Sequence, residues 1–453
     1  MQYSPGAPVL RSKDLVNWDV IGHSLPTLPW AAKYNLTGGN AYNKGTWAST
    51  LRYRKSNKTW YWIGCIEQST SYVYTAPDPT GPWTAASTIN TCYYDCGLLI
   101  DDDDKMHVVY GNGDHYIAEL SADGLSQVKT TKGFGQPPGQ SGVEGNRLYK
   151  KDGTYHVLND HPGDTTYVWK SASIYGSYSY KAIATRIASP VTGGDVPHQG
   201  SLVETPAGEW YFMSFTWIYP GGRIPVLAPV TYAMPMPTVP TAAWLGTYNF
   251  TGPSLSPKWE WNHNPDPTKY SVNNGVTLRR ATVTDDIFSA RNTLTHREHG
   301  SNPTATIELD IRVMADGDKA GLVALRDWTA YIAVTKSGNT LTLQNVKGCT
   351  MAQGTGVWKT NSTGTVAGSA TLAGDTTSVL LRGVMGATPA TKSVSFSYSV
   401  DGGKTFKGLG SSFTLNTDWH WFQGQRWAVF NFATKALGGE VVLKSFTQTG
   451  QDK

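Results

Sequence analysis

One pattern recurs through the first half of the chain: a run rich in β-branched and aromatic residues, a short polar or glycine-containing turn, and a second such run. It occurs four times, at Ser49 to Gly64, Gly97 to Gly111, Asn146 to Leu158 and Ser201 to Phe215. Just upstream of each hairpin stands a residue placed to face a shared axis, Trp47, Asp95, Glu144 and His198, at spacings of 48, 49 and 54. A hairpin plus a second strand pair at a period near fifty predicts a β-propeller of four-stranded blades. The second pairs are Tyr72 to Trp83, Tyr116 to Ser126 and Tyr167 to Tyr178. Pro8 to Trp18 has their character but no hairpin before it, and one period upstream of Trp47 falls before residue 1. The sequence therefore reads as starting in mid-repeat, with the inner strands of its first blade absent.

Past a proline-rich passage at about 225–244, polar and apolar residues alternate between Gly, Asn and Asp turns, as in Ala305 to Val313, Ala330 to Val346, Val394 to Phe406 and Arg426 to Thr434. Strands at this spacing predict a β-sandwich. Long amphipathic helices are not visible, and 453 residues call for two cores. The expected division is a propeller over 1–235 and a sandwich over 236–453.

With 38 basic and 34 acidic residues the net charge is +4, too balanced to suggest a nucleic-acid partner. No apolar run approaches the length of a membrane span, and Met1 does not open a signal peptide. Four N-x-S/T sequons, at Asn35, Asn57, Asn249 and Asn361, lean toward secretion. Cys65, Cys92, Cys96 and Cys349 match no zinc spacing, so a disulfide is expected among the first three, with Cys349 free. The 17 tryptophans and 24 tyrosines offer flat surfaces suited to sugar rings, although most aromatic residues of a β-protein are core.

Glu144 opens an inner strand, where desolvation in the axial funnel would lift its carboxyl toward the range of a general acid. Asp95 holds the equivalent place one repeat earlier and would tune that acid by like-charge coupling. His198 begins the fourth inner strand and reads either as a hydrogen-bonded core histidine or as a holder of an axial ion or water. Arg223 follows two glycines and is placed to reach a carboxylate or a sugar hydroxyl, while Trp47 and Trp217 are candidate stacking platforms. Asp101 to Asp104 read as a solvated, self-repelling hairpin turn. Ser399 to Phe406 resembles a single sialidase Asp-box and reads as a structural turn; no tyrosine nucleophile, arginine triad or repeated box accompanies it.

Together these segments resemble fungal members of glycoside hydrolase family 43 along almost the whole chain. The likeness rests on SPGAPVLRSKDLVNWDVIGHSL, GTWASTLRY, YYDCGLLIDDDDKMHVVYG, VEGNRLYKKDGTYHV, HQGSLVETPAGEWYFMSF and GGRIPVLAPV, in family order, followed by SPKWEWNHNPDPTKYSV and GQRWAVFNFATKALGG. The resemblance implies a five-bladed propeller, its first blade incomplete, followed by a jelly-roll-like sandwich. It implies an inverting, exo-acting enzyme with Glu144 as general acid and Asp95 as the residue that tunes it. His198 then matches the axial histidine and Arg223 the arginine beside the substrate. The family's general base is an aspartate followed by proline on the first inner strand, and no residue matches it. Asp78-Pro79 falls in an outer-blade turn, Asp266-Pro267 in the sandwich entry, and Asp14 and Asp19 on the outer part of a blade. The expectation is a secreted, monomeric α-L-arabinofuranosidase acting on arabinoxylan, slowed by the missing base. β-Xylosidase is the sibling reading and a non-catalytic carbohydrate-binding protein the other. No cofactor and no catalytic metal is expected; a structural calcium or axial ion stays open.

Overall fold

A computed structural model describes residues 1–230, 241–242 and 244–450. Five small sheets succeed one another along the first half, and three of them have the expected four antiparallel strands in sequence order. These three span Thr46–Arg54 to Thr84–Ile89, Gly97–Ile100 to Gln127–Phe134, and Glu144–Lys151 to Ser179–Thr185. The next sheet has three strands, His198–Glu204, Trp210–Ile218 and Gly222–Pro229. The first strands of these sheets neighbour one another, which makes them the inner, axial strands. Packing at the axis is close: a Cβ on Gly97 would lie 2.7 Å from the Cα of Arg147 on the next inner strand.

Gly6–Ser12 and Asn17–Leu25 form the first sheet, joined in parallel on the outer side by Thr241–Ala242. The inner edge of Gly6–Ser12 pairs with no described strand, matching the half-blade expected at Pro8 to Trp18. Tyr3–Ser4 leaves the propeller altogether and pairs with Trp261–Asn262 of the second domain.

That second domain is an eight-stranded sheet, counting Tyr3–Ser4, packed on a nine-stranded one. Between them lie Leu294, Leu309, Leu322, Ile332, Leu381, Trp427 and Phe446, all buried. Alternation places every second residue of these strands inward, and such a face suffices for a stable layer pair.

Two expectations need correction. The linker reading at about 225–244 fails at its start, because Pro225 and Pro229 lie within Gly222–Pro229. Proline is tolerated there because this is an outer edge strand, where a missing N–H breaks no ladder. Residues 231–240 and 243 of that reading lie outside the described residues. The aspartate run is also more than a solvated turn. Asp101 accepts from Lys150 Nζ at 2.6 Å and from the Tyr155 hydroxyl in the next sheet. Asp104 pairs with Arg54 of the preceding sheet at 2.6 Å. The turn thus ties two neighbouring blades together, leaving Asp102 and Asp103 outward.

Cys65 and Cys92 form the disulfide, and Cys96 and Cys349 are buried thiols. Ser399 and Thr405 both donate to Asp401 within the Asp-box-like segment, closing a turn as expected.

Candidate active site

Irregular backbone at the start of the inner strands aims their side chains. The pairing shifts register between Thr46 and Ser49, between Glu144 and Arg147, and between His198 and Ser201. Such bulges bend a strand and re-aim its side chains. Asp95 (φ 46°), Gly145 (φ 76°) and Gln199 (φ 51°) all take left-handed backbone, which for the two non-glycine residues is a sparsely populated choice.

The result is a buried group of polar side chains at the axis. The Gln199 side-chain amide donates to Asp95 Oδ2 at 2.7 Å and to Glu144 Oε1 at 3.1 Å. The Tyr94 hydroxyl donates to the other Glu144 oxygen at 3.1 Å. Carboxyl oxygens bridged by one nitrogen leave no gap for an attacking water between them. Asp95 and Glu144 are therefore not spaced as the acid and base of an inverting pair, which stand roughly 6.5–9.5 Å apart. Burial raises both carboxyls above their usual range, and the charge of Asp95 pushes Glu144 further up, while Arg147 and Arg223 pull Asp95 back down. Two coupled carboxyls held up in this way share their protons as a pair, and at neutral pH such a pair retains one to donate. Arg147 locks the frame, donating to Cys96 O at 2.9 Å and to Ser201 Oγ at 3.0 Å, and so linking three inner strands.

His198 is buried, with Nδ1 2.9 Å from the Val196 carbonyl, and its ring packs on Phe215 and Trp217. Facing a carbonyl, Nδ1 must carry the proton, and burial lowers the ring's basicity, so the histidine is neutral. Among the described residues no cluster of three or more His, Cys, Asp or Glu side chains is arranged to hold a metal ion. The Arg223 guanidinium lies over Phe215 at 4.6 Å and within 5.8 Å of Phe422.

Phe422 belongs to the sandwich. The segment Asn416 to Gln425 reaches across to the propeller mouth, where Phe422 meets Trp47 edge-on at 5.8 Å and Trp419 stacks on Trp217 at 5.6 Å. One face of Trp217 is thereby covered, and the more outward ring of that stack is Trp419, 44% exposed. Arg326, fully buried, holds this segment by donating to the carbonyls of Gln423, Asn416 and Asp418 while lying over the Tyr219 ring.

Asp14, Asp78 and Asp266 each accept from nearby backbone in local turns, away from the axis, and Asp19 lies on the outer strand Asn17–Leu25. The repeat singled out Asp95, Glu144, His198 and Trp47, and the structure brings Asp95 and Glu144 together. Sequence reasoning missed Gln199, Tyr94 and the buried Asp160, as well as Trp419 and Phe422. Adjacency to His198 and Asp95 was the available signal for Gln199 and Tyr94. For the sandwich segment it was the aromatic density of DWHWFQGQRW.

Residues 1–234 match the profile of glycosyl hydrolases family 43, and residues 247–447 that of the beta xylosidase C-terminal concanavalin A-like domain. A β-xylosidase of Formosa agariphila is 27% identical over 410 residues, covering 71% of this chain and 67% of that protein. A non-reducing end α-L-arabinofuranosidase of Bacteroides ovatus is 26% identical over 371 residues, covering 72% and 68%. Among solved structures, a family 43 glycoside hydrolase with an engineered active site superposes with a TM-score of 0.94 at 40% identity, over 99% of this chain and 94% of that one. That engineered enzyme displays both endo-xylanase and exo-arabinofuranosidase activity.

Proposed function

The chain belongs to family 43 of the glycosyl hydrolases, and we propose that it is built to remove α-L-arabinofuranosyl side chains from arabinoxylan by inversion at the sugar carbon. The observation that carries this reading is the Glu144–Gln199–Asp95 bridge beneath an aromatic mouth. Glu144, raised by burial, protonates the departing glycosidic oxygen; Asp95 and Gln199 hold it in line, and the Arg223 charge acts on the same carboxyl. The exo-arabinofuranosidase activity of the 40%-identical structure supports the arabinofuranosyl reading, whereas its endo-xylanase activity and the Formosa relative's name favour xylosyl cleavage.

We infer that turnover is slow, because Asp14, Asp78 and Asp266 are held in local turns and Asp19 lies on an outer strand, which leaves none of them to activate the water. Losing a general base lowers rate about 10²–10⁴-fold, and added azide, a small nucleophile needing no base, restores turnover. The protein acts as a secreted monomer without a cofactor, a setting that the Cys65–Cys92 disulfide suits.

Two substrates test the reading, arabinoxylan and an aryl α-L-arabinofuranoside, each with wild type and Glu144→Gln. Arabinose release that falls about 10²–10⁴-fold in the variant, more on the polymer than on the good aryl leaving group, is the expected result. Binding of arabinoxylan without release by either protein, azide present or not, would establish a carbohydrate-binding protein instead. Faster release from aryl β-xyloside would move the assignment to xylosidase.

A further inference from the structure

A third carboxyl lies behind the bridge. Asp160, on Thr154–His161, is the direct cross-strand partner of Glu144 and is 1% exposed. Neither of its oxygens has a hydrogen-bond partner. The Gln199 backbone N–H faces the carboxyl without closing a full hydrogen bond. The bulge at Gly145 makes room for this arrangement. A Cβ on Gly145 would lie 2.8 Å from Asp160 Oδ1 and 3.1 Å from Gln199 Cγ, so the Asp160 carboxyl and the Gln199 side chain share the space above a glycine.

A buried, unpartnered carboxylate would be held out of water, against two other carboxyls, for no compensating bond. The same group as a neutral acid carries one O–H donor and one acceptor, and fits the space without adding charge. The charged and titratable groups that face it are Glu144 and Arg147 from the adjoining strand and Asp95 from the preceding sheet; the neighbouring inner strand contributes the neutral Gln199. Burial outweighs the single favourable guanidinium.

We propose that Asp160 is a positioning residue of the acid site, a neutral carboxylic acid that props Gln199 in its left-handed conformation and so keeps the amide across Glu144 and Asp95. It is not a substitute base, because it is closed off from water. Its value lies in filling the space without a third negative charge, which would raise the Glu144 carboxyl beyond use.

This inference rests on the hydrolase reading for its consequence but not for its test. The infrared C=O stretch of protonated carboxylic acids is followed with pH in wild type, Asp160→Asn and Asp160→Ala. Wild type is expected to retain an acid band above the pH at which Glu144 and Asp95 have titrated, and Asp160→Asn to lose that band while leaving the dyad's midpoint where it was. Asp160→Ala, free to let Gln199 relax, shifts the midpoint upward, because the amide no longer favours the charged forms. In turnover, Asp160→Asn stays within about threefold of wild type and Asp160→Ala loses about tenfold or more in kcat. Absence of the persistent band, or a dyad midpoint that moves in Asp160→Asn, overturns the proposal. So does an Asp160→Ala protein that only melts lower, with midpoint and kcat unmoved. If Asp160→Ala does not fold, Asp160→Asn against wild type still decides. A wild type that hydrolyses nothing would defeat the functional reading and leave the infrared result standing.

Discussion

At the residue scale the chemistry turns on one amide. Among the described residues Gln199 is the only side chain that hydrogen-bonds both Asp95 and Glu144, and its donation favours the ionised form of each. Glu144 must hold a proton to act, and burial with the Asp95 charge raises it to about 7, so kcat/KM should fall as pH rises through that value. Gln199→Leu removes the donor, which moves this alkaline limb to higher pH. It also frees the Glu144 rotamer, lowering kcat about 10–100-fold, the loss that goes with a hydrogen bond to a charged group. A pH–rate profile of the two proteins decides, and a limb that moves downward would show that the amide does not stabilise the charged carboxyls. Glu144 and Asp95 were legible from their period, because a repeat fixes which residue of each unit faces the axis. Gln199 was not, since the bulge between His198 and Ser201 turns a residue inward that regular alternation would direct elsewhere.

At the scale of elements, the sandwich segment Asn416 to Gln425 matters as much as any blade. Its approach to the propeller is backbone on backbone: a Cβ on Gly222 would lie 2.5 Å from Gly424 N, and one on Gly424 only 1.9 Å from Gly221 O. Gln425 N–H closes the contact on Pro220 O at 2.9 Å. Gly222 also has φ 98°, a conformation that side chains rarely take. The two glycines before Arg223 therefore admit the neighbouring domain, a use that their place in the sequence did not reveal. Gly222→Ala should destabilise by about 1–3 kcal/mol through overpacking and backbone strain. It should also push Trp419 and Phe422 off Trp217 and Trp47, raising KM for arabinoxylan more than for the aryl glycoside. Thermal melts with paired kinetics test this, and equal KM changes on both substrates would separate the segment from polymer binding. The half-blade at Pro8 to Trp18 was readable because its partners repeat. The pairing of Tyr3–Ser4 with Trp261–Asn262 was not, because two residues carry no periodicity and their partner lies over 250 positions away.

Across the whole molecule the propeller and sandwich are joined by buried polar groups rather than by an apolar face alone, and this makes the joint sensitive to acid. His263 Nε2 accepts the Ala41 N–H at 2.9 Å, and burial lowers that ring to about 3, as it does His296. Glu260 sits beside His23 of the propeller; burial opposes its ionisation, but Arg297 and Arg426 overcome this and hold it at about 2. A histidine held neutral contributes stability that is full above its unfolded value and is lost as pH falls toward the folded one. A depressed carboxyl acts in the same sense, its contribution being present above the unfolded value and lost as pH falls toward about 2. The raised Asp95, Glu144 and Asp160 act oppositely, favouring the fold increasingly as pH falls until the unfolded carboxylates are protonated as well, near about 4.5. From about pH 7 down to that value the two trends offset each other, and below about 4.5 only the destabilising one remains, at about 1.4 kcal/mol per pH unit for each histidine. Urea midpoints should therefore change little from pH 7 to 5 and fall steeply from 4.5 to 3. His263→Gln, which keeps an acceptor for Ala41 but takes up no proton, should flatten that fall by about one histidine's share while lowering stability modestly at pH 7. Equal slopes for wild type and variant below pH 4.5 would place the acid sensitivity outside the joint between the domains.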